Sequence, residues 1–134
     1  MTIRCVSIVA FYKNNKILLQ NRENMSKFGE KWGFFGGGIE DSETPEEALV
    51  REIKEELTYN LHDFKYIGKV FAEVIPNHSV EAYVFLSPLD DKQKHFKQKE
   101  GSGMKLFTIK EAEKLKMMPG IDKKIIKLIK VHLK

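Results

Sequence analysis

The sequence predicts an α/β fold in which a mixed sheet outweighs the helices. Three observations carry this. Runs rich in Ile, Val, Phe and Tyr, short enough for strands, recur at 3–12, 17–20, 64–74 and 80–86. Clear helical periodicity is confined to two stretches, 45–57 and 121–133. Few strands alternate with helices, which argues against a doubly wound parallel sheet and for a mixed one.

Taken in order, 3–12 reads as a strand, Lys13-Asn14-Asn15-Lys16 as a turn and 17–20 as a second strand, together a hairpin. Residues 21–31 are polar, contain Gly29 and read as a loop. A short aromatic strand, 32–35, runs into Gly36, Gly37 and Gly38. After the helix at 45–57, strands at 64–74 and 80–86 are joined through Pro76-Asn77-His78. Residues 90–103 are charged, end in Gly101-Ser102-Gly103 and read as a mobile loop. A strand at 104–107 leads into Thr108-Ile109-Lys110-Glu111, the spacing of a capping box that opens a short helix. The last helix, 121–133, sets Ile121, Ile125, Leu128, Ile129 and Leu133 on one side. No repeat or linker interrupts the chain, so one domain spanning 1–134 is expected.

A chain of 134 residues with 42% hydrophobic and 31% charged residues is neither disordered, collagen-like nor a membrane bundle. Its apolar runs fall far short of the roughly 20 residues that span a bilayer. The start of the chain lacks the long apolar region and small-residue cleavage site of a signal peptide. The single cysteine, Cys5, excludes an intramolecular disulfide and suits a reducing cytosol, so a cytoplasmic protein is expected. Cys5 reads as a buried thiol, and the four histidines have no ligand spacing. The net charge of +4 favours anionic partners without choosing among them. Lysines gather in 92–134 and acids in 40–56, the first sign of a localised site.

The helix at 45–57 is well specified at its start. Thr44 can cap it, Pro45 suits its first position and Glu47 completes a capping box, so Glu46 and Glu47 have a structural explanation. Leu49, Val50, Ile53 and Leu57 form the face expected to pack on the sheet. Glu52, Glu55 and Glu56 share about 100° of arc elsewhere. Like charges at such spacing destabilise a helix by roughly 0.2–0.5 kcal/mol per pair. One reading is a solvated acidic face. The other is a hard divalent cation such as Mg²⁺, which takes oxygen ligands and turns repulsion into binding. The three glycines upstream let backbone approach a ligand closely. No Gly-Lys-Ser/Thr follows them, so they are not a P-loop.

Gly37, Glu43 and the run Arg51-Glu52-Ile53-Lys54-Glu55-Glu56 stand in the register of the Nudix box, and the chain resembles Nudix hydrolases over nearly its whole length. It departs from the family at Thr58 and Tyr59, where a glycine and an aliphatic residue are usual. It also has Phe35-Gly36 where many members place a proline before the glycine pair. The resemblance implies an α/β/α sandwich and hydrolysis of a nucleoside diphosphate linked to another moiety. It implies Mg²⁺ as cofactor, with Mn²⁺ as a substitute, held by the Gly37 carbonyl, Glu52, Glu55 and Glu56. Arg51 would pair with Glu43 and orient the cluster. The catalytic base would be Glu52, Glu55, or Glu100 from a closing loop; Glu100 reads equally as a surface acid. For substrate, the resemblance points to Arg22 on a phosphate and Asp122 on the base edge, with Gly38 close by; Phe71, Tyr83 and Phe85 lie on strands that could flank the base. Each has a plainer reading: a charge at a strand end for Arg22, a helix N-terminal acid for Asp122, core packing for the aromatics.

The expected function is metal-dependent cleavage of a (d)NTP or modified nucleotide to a monophosphate and pyrophosphate. The alternatives are a nucleotide-sugar or dinucleoside polyphosphate hydrolase, a non-catalytic nucleotide sensor, or an RNA-binding protein using the lysine-rich half. In that half only Phe96 is placed to stack. The expected partner is a small-molecule nucleotide, with no membrane and no nucleic acid, for a monomer or homodimer.

Overall fold

A computed structural model describes residues 2–26, 28–99 and 102–133. Its elements run β1 (Thr2–Lys13), β2 (Lys16–Asn21), β3 (Trp32–Gly33), β4 (Phe35–Gly38), α1 (Pro45–Leu57), β5 (Lys65–Ile75), β6 (His78–Pro88), a 3-10 turn (Lys92–His95), β7 (Met104–Thr108), α2 (Ile109–Ala112) and α3 (Asp122–His132). The seven strands make one mixed sheet in the order β3-β2-β1-β6-β5, with β4 added to β1 and β7 to β2. β1 is the spine. It runs parallel to β6, with Ser7 opposite Tyr83, and antiparallel to β4, with Ser7 opposite Gly37.

Period-two alternation along β1 builds both layers. Val9 and Phe11 join Leu49, Ile53 and Leu57 of α1, while Ile8 and Ala10 join Ile125, Ile126 and Ile129 of α3. The result is a sheet with α1 on one face and α2 and α3 on the other, the expected sandwich. No helix among the described residues is long and apolar enough to cross a membrane.

The strand that enters the glycines continues through them: Gly36 and Gly37 pair with Ile8 and Ser7 of β1. Gly36 has φ +138°, and a Cβ there would press into the Ser7 carbonyl and Ile8 Cα, so backbone contact demands glycine. The buried face of α1 is rotated from the expected one. Ala48 and Glu56 are inside, and Val50 is 37% exposed. Residues 90–99 are fastened rather than loose. Lys92 is buried, with Nζ donating to Asp63 Oδ2 at 2.6 Å and to the Pro88 carbonyl. The amides of Lys97 and Lys99 donate to the carbonyls of Leu57 and Glu56, each at 2.8 Å, and so satisfy the open end of α1. Phe96 packs inward on Phe11 and Tyr59 and is no stacking platform. Finally, Cys5 is only partly buried, with Sγ 3.8 Å from Glu81 Oε1.

Candidate active site

The start of α1 is held where the sequence places it. Thr44 Oγ1 accepts from the Glu47 amide at 3.1 Å, and Glu47 Oε1 accepts from the Thr44 amide at 2.9 Å, closing the capping box. Ser7 Oγ donates to the Pro45 carbonyl at 2.7 Å and ties this end to the spine of the sheet. With the helix anchored, its outer carboxylates take fixed directions.

Arg51 lies at the centre of them. Its Nε donates to Glu43 Oε2 at 2.7 Å, and its Nη2 donates to Glu43 Oε1 and to the Gly38 carbonyl, both at 2.9 Å. Nη1 donates to Glu52 Oε1 at 3.0 Å and reaches Glu55 Oε2 at 3.4 Å. One guanidinium thus joins a loop carboxylate, a strand carbonyl and two helix carboxylates. Hydrogen bonds from Arg51 and from the Glu40 amide hold the Glu43 carboxyl at a pKa of about 2. The same bond with Glu43, then those with Glu52, raise the Arg51 pKa against the opposing effect of burial.

The remaining acids sit at different depths. Glu52 rests against the backbone of Gly37 so closely that any Cβ at Gly37 would strike its carboxylate. Glu55 is well exposed, with 59% of its side chain open. Glu56 is buried at 4% exposure, where its Oε2 accepts from the Gly36 amide at 3.1 Å and its Oε1 from Gln20 Nε2 at 3.4 Å. Among the described residues no three acidic, histidine or cysteine side chains converge into a ready cage. The donor chemistry is nevertheless all oxygen, the chemistry of a hard divalent cation. The bare Cα of Gly37 leaves the Glu52 carboxylate its place beside the strand. These features fit Mg²⁺ better than a soft metal.

A cavity of about 420 Å³ opens on the other face of β4, bordered by Gly36 and Gly37. Phe34, Val80, Met118 and Ile125 give it apolar walls, and Arg4, Arg22, Glu30 and Asp122 supply its charge. Arg22 Nε is 3.3 Å from Glu30 Oε2. Glu30 is buried at 2% exposure; burial opposes its charge, but the Phe28 amide, other local hydrogen bonds and Arg22 together hold its pKa below the ordinary value. Asp122 opens α3 and its Oδ2 accepts from the Met118 amide at 3.1 Å. It is no surface acid. At 8% exposure it lines the cavity, and burial raises its pKa to about 7.

The sheet therefore brings Glu52, Glu55, Glu56, Arg51, Gly37 and Gly38 together on one side of the glycine strand, with Arg22 and Asp122 in the cavity on the other. Phe71 and Tyr83 do not join them. Tyr83 packs on the α1 side of the sheet and its hydroxyl donates to Glu81 at 3.2 Å, while Phe71 pairs with Glu81 and is 49% exposed. Both stand on the face away from the cavity, because odd-numbered residues of this part of β5 and β6 point there. Trp32 packs edge-on against Phe107 at 4.8 Å. Glu100 lies outside the described residues.

Three residues of the site escaped the sequence reading. Gln20 follows Leu18 at period two, so its inward direction was legible. Arg4 continues the cavity-facing row of Val6 and Ile8 in the same way. Glu30 carries no local signal, because its burial comes from Arg22, Ser26 and the Phe28 amide folding around it.

A family model described as NUDIX domain matches residues 1–129. An 8-oxo-dGTP diphosphatase of Proteus vulgaris is 32% identical over 90 residues, covering 67% of this chain and 78% of that protein. An RNA pyrophosphohydrolase of Marinomonas is 39% identical over 64 residues, covering 48% of this chain, and the match spans only 37% of that protein. The solution structure of the E. coli ORF135 protein superposes with a TM-score of 0.78 at 22% identity, covering 98% of this chain and 91% of that one, and so shares the fold.

Proposed function

The chain belongs to the NUDIX domain family, a hydrolase acting on acid anhydrides, and from that premise we propose that it cleaves a nucleoside triphosphate or a modified nucleotide to the monophosphate and pyrophosphate with Mg²⁺. One observation carries the proposal. The acidic cluster around Arg51 and an apolar cavity with polar groups at its edge lie on the two sides of the same glycine strand. A cavity of about 420 Å³ falls at the small end of ligand sites and suits a single nucleoside. Its polyphosphate would then extend along Gly37 and Gly38 toward the carboxylates.

Glu52, Glu55 and Glu56, with the Gly37 carbonyl, are the residues that would hold the cation. Bound Mg²⁺ supplies neutralisation of the phosphate oxygens and activation of water. Glu43 and the Gly38 carbonyl hold the guanidinium of Arg51, and its Nη1 lies against Glu52 and Glu55. Arg51 is therefore a positioning residue that would orient the carboxylates toward the cation. Glu56, bound to the Gly36 amide, links the helix to the strand that borders the substrate.

In the reaction a water oxygen bonds to phosphorus, the anhydride P–O bond breaks toward the leaving pyrophosphate, and the water proton passes to a carboxylate, Glu52 or Glu55. Asp122, with a pKa of about 7, can accept or donate toward a base edge at neutral pH. A panel of nucleotides with Mg²⁺, assayed for phosphate with and without added pyrophosphatase, tests the proposal. Phosphate appearing only after pyrophosphatase supports it. Direct release of orthophosphate, or turnover confined to nucleotide-sugars, contradicts it.

A further inference from the structure

The charges around the cavity are unequally committed. Arg22 Nε is engaged by Glu30, and Glu30 and Asp122 are acids. Arg4 also lines the cavity and is exposed, and its side chain has no hydrogen bond or ion pair among the described residues. Its guanidinium rests over Gly38: a Cβ built there would lie 3.5 Å from Nη2 and 3.7 Å from Nε. The Gly38 carbonyl meanwhile takes Nη2 of Arg51 at 2.9 Å. Gly38 thus stands between a cavity-side cation and the cation that organises the carboxylates.

From this arrangement we infer that Arg4 binds the phosphate chain of the substrate at the cavity mouth and sets the preference for polyphosphate over uncharged or monophosphate nucleosides. The inference rests on the nucleotide reading above. It reassigns to Arg4 the phosphate contact that the sequence suggested for Arg22. A phosphate leaving the cavity toward Glu52 must pass the Gly37–Gly38 backbone, where Arg4 is the cation without an internal partner among the described residues. A guanidinium meets phosphate through paired, charge-assisted hydrogen bonds, which an ammonium reproduces only as a point charge. β1 holds Arg4 in register beside the site, since Arg4 pairs with Val80 of β6 two residues before Val6.

The test is isothermal titration of an α,β-methylene nucleoside triphosphate, and of the matching nucleoside, into wild type, Arg4→Gln and Arg4→Lys at low salt. Circular dichroism checks the fold of each variant, and steady-state kinetics follow. The glutamine variant is expected to bind the analogue about tenfold more weakly, with the lysine variant between it and wild type and nucleoside affinity equal in all three. In kinetics the loss falls mainly on KM. Equal analogue affinity in wild type and Arg4→Gln overturns the inference, as does an equal loss for the nucleoside. If the contrast appears but wild type releases no pyrophosphate from triphosphates, the proposed reaction fails and Arg4 keeps its role. If wild type binds no nucleotide, both fail.

Discussion

Arg51 and Glu43 face each other through two parallel hydrogen bonds, Nε to Oε2 at 2.7 Å and Nη2 to Oε1 at 2.9 Å. The fork geometry fixes the guanidinium plane, and the plane fixes where Nη1 meets Glu52 and Glu55. Lysine carries the charge but cannot reproduce the fork. Arg51→Lys is expected to fold normally and to lose about 10–100-fold in activity or metal affinity, read from Mg²⁺ titrations of the rate. A rate within twofold of wild type at every Mg²⁺ concentration contradicts the positioning role.

Glu56 separates metal chemistry from packing. Glu56→Gln keeps the size of a buried side chain and can still accept from the Gly36 amide. Turnover is expected to fall by orders of magnitude while the thermal transition stays cooperative. Near wild-type rates in saturating Mg²⁺ would remove Glu56 from the site.

Asp122 gives stability a pH dependence of known sign. Its pKa is raised from 3.8 to about 7 by burial, against which the Met118 amide, Arg22 and Lys123 act and with which Glu30 acts. Between those values the native state holds the proton and the unfolded state does not, so stability from this group falls as pH rises through the window. Asp122→Asn should abolish that fall. Urea titrations at pH 4 and pH 7 should show wild type losing on the order of 3 kcal/mol more than the variant between the two. An identical pH dependence in both proteins contradicts the buried, proton-holding carboxyl.

Thr58 ends α1 in the left-handed region, φ +53° and ψ +41°, at the position where relatives of the box usually carry glycine. A β-branched residue is strained there, and its Oγ1 is buried without a hydrogen-bond partner among the described residues. Thr58→Gly should therefore stabilise the fold by about 1 kcal/mol, seen as a Tm rise of a few degrees. A lowered Tm contradicts the strain.

What the chain reveals before folding follows from the range of the forces. The helix Pro45–Leu57 and both capping boxes were legible to the residue, because Thr44, Pro45 and Glu47, like Thr108 and Glu111, act within one turn. The register Gly37, Glu43, Arg51 to Glu56 pointed to the acidic side of the candidate site through its likeness to the Nudix box, not through a short-range force. The rotation of α1 was not legible. Glu56 turns inward and Val50 outward because a Gly36 amide and Gln20, 20 and 36 positions away, receive the carboxylate. The fastening of Lys92 likewise depends on Asp63 across the fold. Phe71 and Tyr83 do not line the cavity, and strand membership alone does not say which face of the sheet a side chain takes.

A divalent cation held by Glu52, Glu55 and Glu56 is the centre of the proposed site. Electron paramagnetic resonance of Mn²⁺ reports binding without any turnover, since the free-ion signal fades as the metal is taken up. Wild type should deplete that signal. Glu55→Gln, at an exposed position that cannot disturb the core, should need about tenfold more protein or more to do so, and the triple glutamine variant should not deplete it at all. Equal depletion by wild type and the triple variant would show that these carboxylates hold no metal.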